Sequence, residues 1–255
     1  MNLPEKESNE KINHSEVLLK ADLAEASLAA AELFVTAAKA SVERSGLFTV
    51  ALSGGSTPGV LYRMLAEKPF AQRIPWDKTH VFWVDERCVP AEDPSSNYGA
   101  ASKDLFVRIP IPPENVHQMP GSLPPDEGAR TYQEMLVRFF SLQEGQFPVF
   151  DLILLGVGKD GHTASLFPGQ PALKDSGRMV VHVIGGDPFL DRITLTLPVL
   201  NRGRRIVFLA AGNGKAEILR SIFSGERGDL PACRIRPVTG SLLWILDLRA
   251  AALLA

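Results

Sequence analysis

Cysteine is almost missing: Cys88 and Cys233 are the only two among 255 residues, far apart and in no metal-ligand or redox spacing. Two thiols so placed build no disulfide framework, and the expected compartment is the reducing cytoplasm. A surplus of positive charge is missing too. Lys and Arg number 27 against 29 Asp and Glu, a net charge of -2. That supplies no basic surface for nucleic acid, although a few local cations still suffice for an anionic small molecule. No apolar run reaches the ~18 residues of a membrane span. The opening MNLPEKESNEKINHSE has no apolar core of the kind a secretory leader carries. His14, His80, His117 and His182 form no paired-ligand spacing, so no catalytic metal is expected.

What is present is an alternation. Residues 1–14 read as a frayed or disordered arm. From Ser15 to about Arg44, alanine and leucine recur at helical spacing. LFTVALS then reads as a strand, TPGVLYRMLAE as a helix, and THVFWVDE as a second strand. DLILLG is a short apolar strand of the kind buried on both faces. RMVVHVIG and RITLTL alternate more strongly and suggest an antiparallel addition. RRIVFLAAG and KAEILRSIF repeat the strand-to-helix step, and LLWILDL is a last strand. The order implies an α/β fold: a Rossmann-like, mostly parallel sheet with helices on both faces and a small antiparallel segment. No linker interrupts residues 15–255, which read as one domain.

In such sheets ligands bind beyond the carboxyl ends of the strands. Four loops should therefore converge: 53–57, 85–87, 156–162 and 212–215. The third is GVGKDGHTASLFP, from Gly156 to Pro168. It spells G-x-G-x-x-G, but Pro168 and Gly169 forbid the full helix a dinucleotide fold needs there. Asp160 and His162 remain. They fit a general base with the carboxylate that orients it. They fit equally a helix-capping aspartate beside a histidine satisfied within its loop.

LSGGSTP offers the hydroxyls of Ser53, Ser56 and Thr57 and the amides of Gly54 and Gly55 at a helix start. This reads as an anion site, or as a plain capping turn. It lacks the G-x-S-x-G elbow of a serine hydrolase and the lysine of a P-loop. GNGKAE places Lys215 at a helix start, and VDERC places Arg87 where the second strand ends. Each suits a phosphate counter-charge, and each also suits an ordinary surface or ion-paired role.

SGGSTP, WVDER with SNYG, GVGKDGHTASLFPG and GNGKA occur in this order. The chain thereby resembles the 6-phosphogluconolactonases of the oxidative pentose phosphate pathway, from about residue 15 onward. The resemblance implies hydrolysis of 6-phospho-D-glucono-1,5-lactone without metal or organic cofactor. It implies His162 as general base and Asp160 as its partner. Ser53, Gly54, Gly55, Ser56 and Thr57 would line the phosphate and ring site, with Arg87 and Lys215 facing the phosphate. The expected partner is this small sugar-phosphate lactone, bound by a monomer or a small homo-oligomer, with no nucleic acid and no membrane. The glucosamine-6-phosphate isomerase/deaminases share the fold and are one alternative. Their pattern carries a glutamate where this chain has Phe167, and ring opening needs that acid. A non-catalytic sugar-phosphate-binding module is the other alternative.

Overall fold

The computed structural model describes residues 9–12 and 15–254. Among the described residues, ten strands fall into two sheets. β1 (Asn9–Ile12), β2 (Ser15–Lys20), β3 (Phe48–Leu52), β4 (Thr79–Trp83), β6 (Leu152–Leu155), β9 (Arg205–Ala210) and β10 (Ser241–Asp247) form the larger one. Its order is β1-β2-β10-β9-β6-β3-β4, with β2 to β4 parallel and β1 antiparallel at the edge. β5 (Asp85–Arg87), β8 (Leu190–Leu195) and β7 (Val180–Gly185) form a small antiparallel sheet in that order. The mostly parallel sheet with its antiparallel addition is thus the expected architecture. No helix among the described residues is long and apolar enough to cross a membrane.

The helices are α1 (Leu23–Ser45), α2 (Ser56–Leu65), α3 (Phe70–Arg73), α4 (Asn97–Asp104), α5 (Pro125–Phe139), α6 (Leu197–Leu200) and α7 (Ala216–Phe223). α1 starts later than its periodicity suggests. Ser15–Lys20 pairs in parallel with β10, Val17 opposite Trp244 and Leu18 opposite Ile245. Asp22 then caps the helix by accepting the Glu25 N–H at 2.9 Å. Cross-strand burial of Val17 overrides local helical preference. The buried stripe Ala26, Ala30, Ala31, Phe34, Val35 and Ala38 lays α1 on the sheet, and its small residues allow close approach. Gly46, at φ 81°, ends it by donating to the Val42 carbonyl.

β3 and β6 are buried at every position, so both faces of the sheet's centre are covered. The expected N-terminal arm, residues 1–14, lies outside the described residues except at Asn9–Ile12, which pairs with β2.

The stretch THVFWVDE divides at Val84 instead of running as one strand. The Val84 N–H bonds to the Leu52 carbonyl of the large sheet, and its carbonyl accepts from Leu195 of the small one. Asp85, Glu86 and Arg87 are therefore strand residues of the small sheet, not the loop the sequence implied. Asp85 lies opposite Thr194 and Arg87 opposite Arg192. Opposed residues in an antiparallel pair share a face, so Asp85, Arg87, Arg192 and Thr194 project to one side. The other side packs under α5, where His182 bonds Asp191 and Asp126.

Candidate active site

From β3 the chain proceeds to β4 on one side, and from β6 toward β9 on the other. Loops that part in opposite directions open a crevice at the strands' carboxyl ends. A cleft of about 570 Å³ lies there. All four predicted loops reach it: Ser53, Gly54 and Gly55; Asp85 and Arg87; Gly156 to Asp160 with His162; and Lys215. Asn97, Ala164, Gly186, Asp187 and Arg192 complete its walls. Ser56 and Thr57 do not line it. They begin α2, and neither hydroxyl has a hydrogen bond among the described residues.

The segment from Gly156 to Pro168 is a series of tight turns, with no helix for Asp160 to cap. Asp160 Oδ1 takes the His162 backbone N–H at 3.2 Å and approaches ring Nδ1 at 2.5 Å. A carboxylate only accepts, so Nδ1 carries a proton, and the neutral tautomer compatible with this contact has its lone pair on Nε2. The Gly158 N–H bonds to the His162 carbonyl at 2.8 Å and closes the turn. Gly158 is required by the contact: a Cβ there would sit 2.1 Å from His162 Nδ1 and 2.6 Å from Asp160 Oδ1. The imidazole also packs on Phe167, with ring centroids 4.8 Å apart. The dyad is held by these contacts and remains open to solvent, with the His162 side chain 29% exposed.

Ser53 follows β3, and its carbonyl accepts from the buried Tyr62 hydroxyl at 2.5 Å. Gly55 stands at the α2 N-cap without a side-chain capping bond, leaving first-turn amides free. Gly54 passes so close to Asn97 that a Cβ would lie 1.7 Å from its Oδ1. Glu86 is buried on the reverse face. Its carboxylate accepts the backbone N–H groups of Arg87, Asn97 and Tyr98, each at 2.7 Å. Burial pushes its carboxyl up, against those donors. This carboxylate locks the start of α4 to β5, and so fixes Asn97 beside Arg87.

Arg87 donates Nη1 to the Ser95 carbonyl and has no carboxylate partner among the described residues. Lys215, at the start of α7, donates Nζ to the Val157 carbonyl at 2.7 Å. Burial and the neighbouring Lys159 hold its ammonium below the usual lysine range, opposed by Asp160. Gly212, before it, is tied down by Asp247 Oδ1 at 2.9 Å. Four buried side-chain polar atoms among the described residues lack a partner, and three are in this cleft: Ser53 Oγ, Arg87 Nε and Asn97 Oδ1. Native interiors seldom leave such atoms unpaired unless a ligand or water meets them.

Sequence reasoning missed Arg192, Asn97 and the 186–187 turn. Arg192 carried one visible signal: a charged residue in the otherwise apolar-facing strand RITLTL. The others reach the cleft only through strand register and the Glu86 lock.

Residues 21–244 match the family described as glucosamine-6-phosphate isomerases/6-phosphogluconolactonase. The chain is 46% identical over 215 residues to a 6-phosphogluconolactonase of Synechocystis sp., covering 83% of this chain and 86% of that protein. It superposes on the crystal structure of a devB protein with TM-score 0.84 and 37% identity, covering 94% and 100% of the two chains. A 6-phosphogluconolactonase from Trypanosoma cruzi gives TM-score 0.83 and 30% identity, covering 93% and 96%.

Proposed function

The chain belongs to the family of glucosamine-6-phosphate isomerases and 6-phosphogluconolactonases, and from that premise we propose that it hydrolyses 6-phospho-D-glucono-1,5-lactone to 6-phospho-D-gluconate. The observation that carries the reading is the Asp160–His162 contact at 2.5 Å in a cleft that also holds Arg87 and Lys215. His162 is the general base. With Nδ1–H committed to Asp160, Nε2 takes a proton from water as the water oxygen bonds to C1. Asp160 supports the imidazolium that results. The carbonyl pair moves onto oxygen, where amides of the glycine loops stabilise it. Collapse breaks the bond from C1 to the ring oxygen, which takes the proton back from His162. Atoms balance without metal, cofactor or covalent intermediate, because the ring ester is already reactive.

The phosphate is held by Arg87, Lys215 and the open amides at the start of α2, which places C1 toward the imidazole. Ser53, Gly54 and Gly55 contact the substrate; Ser56 and Thr57 contribute through backbone amides, since their side chains lie outside the cleft wall. The enzyme acts in the cytoplasm on this small molecule, as a monomer or a small homo-oligomer, with no nucleic-acid partner. An isomerase or deaminase on the same scaffold needs a second acid at the ring. Here the side chain packed on His162 is Phe167, which cannot ionise.

A coupled assay on freshly generated phosphogluconolactone, with glucosamine 6-phosphate in parallel, tests the assignment. Lactone loss well above the spontaneous rate is expected, with no ammonia from the amino sugar. Ammonia release with lactone decaying only spontaneously would transfer the chain to the deaminase side of its family.

A further inference from the structure

Arg192 is only 3% exposed, yet no carboxylate lies within ion-pair distance of it among the described residues. Its Nε donates to the Gly185 carbonyl at 2.8 Å and its Nη2 to the Pro188 carbonyl at 3.1 Å. Those two bonds fix the guanidinium plane and leave Nη1 without a protein partner. Gly186 leaves room for it: a Cβ there would lie 2.3 Å from Nη2. The guanidinium also rests 5.7 Å from the centroid of the Phe167 ring, the same ring that packs on His162.

The register sets Arg192 directly opposite Arg87 on one face of the small sheet. Like charges so placed repel, and burial together with Arg87 lowers the Arg192 pKa. Asp85 and Glu86 oppose that shift, but their oxygens are engaged by Ser165 and Asn97 and by the backbone at the start of α4. A buried, pre-oriented cation opposite a second cation, with no carboxylate in ion-pair contact with either among the described residues, is a costly arrangement. It becomes favourable when an external dianion bridges the two.

We propose that Arg192 is a second phosphate-binding guanidinium, forming with Arg87 a cross-strand clamp that selects phosphorylated lactones over unphosphorylated ones. Its free Nη1 and the orphan Nε of Arg87 supply donors from two sides of one phosphate. Through its bonds to Gly185 and Pro188, the same guanidinium holds the 186–187 turn against the cleft. The substrate's identity rests on the lactonase reading; the anion site does not.

Two measurements on the full-length protein test this. Calorimetry with inorganic phosphate should give a Kd weakened about 30-fold or more in Arg192→Met, which keeps the stem but not the charge. Arg192→Lys keeps the charge but loses the fork, and should weaken phosphate about 5-fold. It is the deciding variant if Arg192→Met does not fold. In kinetics, kcat/KM on the phosphorylated lactone should fall far more than on glucono-1,5-lactone. An unchanged phosphate Kd in a folded variant overturns the proposal. So does an equal fall on both lactones, because Arg192 would then act through Phe167 and His162. If neither lactone is turned over by the parent protein, the lactonase reading fails while the phosphate titration still decides the role of Arg192.

Discussion

Replacing Gly158 by alanine adds one methyl group and tests the dyad without touching either member. No positive φ is recorded at Gly158, so its backbone accepts an L-residue and the effect is steric. The new Cβ would lie 2.1 Å from His162 Nδ1, 2.2 Å from Cε1 and 2.6 Å from Asp160 Oδ1. Ordinary contact needs about 3.4 Å or more, so the imidazole must retreat by roughly 1 Å. Phe167 already packs on the imidazole and limits its freedom to move, and the Gly158 to His162 backbone bond resists opening of the turn. The 2.5 Å bond to Asp160 therefore breaks or tilts. A displacement of about 1 Å at a catalytic group costs around 10²-fold, or about 2.7 kcal/mol in the barrier. The loss should appear in kcat. KM should change little, because the phosphate contacts come from other loops. Steady-state kinetics against the spontaneous background measure both, and a thermal melt confirms folding. A folded Gly158→Ala protein with parental kcat would refute the claim that the Asp160–His162 geometry carries the rate.

Three further outcomes are expected. His162→Ala should reduce lactone turnover to background while phosphogluconate still binds by calorimetry; full activity would remove His162 from the base role. Lys215→Ala should chiefly raise KM, since Nζ is held at the cleft wall by the Val157 carbonyl, where the proposed phosphate site lies; an unchanged KM would put the phosphate elsewhere. His117 and His80, bonded ring to ring at 3.1 Å among Phe82, Phe139 and Phe140, both have lowered pKa values, His117 to about 4, chiefly through burial. Their neutral forms are favoured in the fold, whereas the unfolded chain takes up protons below about 6.5. Stability is therefore complete above that pH and is lost as pH falls from about 6.5 toward 4. Urea midpoints at pH 7 and pH 5 should differ in that direction, and His117→Phe should flatten the difference. A midpoint equal at both pH values in the parent would contradict the burial argument.

Local features were legible in the residues. Asp160 and His162 are two positions apart, and a tight turn rich in glycine brings them together without long-range help. The glycine loop at 53–55 could be read because a strand ends and a helix begins there. Ser56 and Thr57 begin α2, and neither side chain lies in the cleft wall, so only their backbone amides are offered there. Ser15–Lys20 looked helical because VLLK runs smoothly into the alanine-rich stripe of α1. Only pairing with β10, more than 220 residues away in the chain, makes it a strand. Arg192 was hidden for the same reason. Its place opposite Arg87 is set by the register of two strands, and no spacing in the sequence records that.

The site's dependence on both sheets follows from this division. The proposed base, His162, comes from a loop of the parallel sheet, and Arg87 and Arg192 come from the antiparallel one. Their relative placement is a matter of a few bonds across the junction. Val84 hydrogen-bonds both sheets. Ser165, three residues after His162, donates its hydroxyl to Asp85 at 2.6 Å and its backbone N–H to Thr194 Oγ1 at 3.2 Å. Asp85 and Thr194 are the opposed pair two residues from Arg87 and Arg192 on the same face. A short path of buried polar contacts thus joins the imidazole loop to the arginine pair. These contacts are shielded from water, where such bonds are strongest and most costly to leave unmade. In the proposed reaction the separation between phosphate and reacting carbon is then set by the fold, and a substrate of the right length meets an already oriented base.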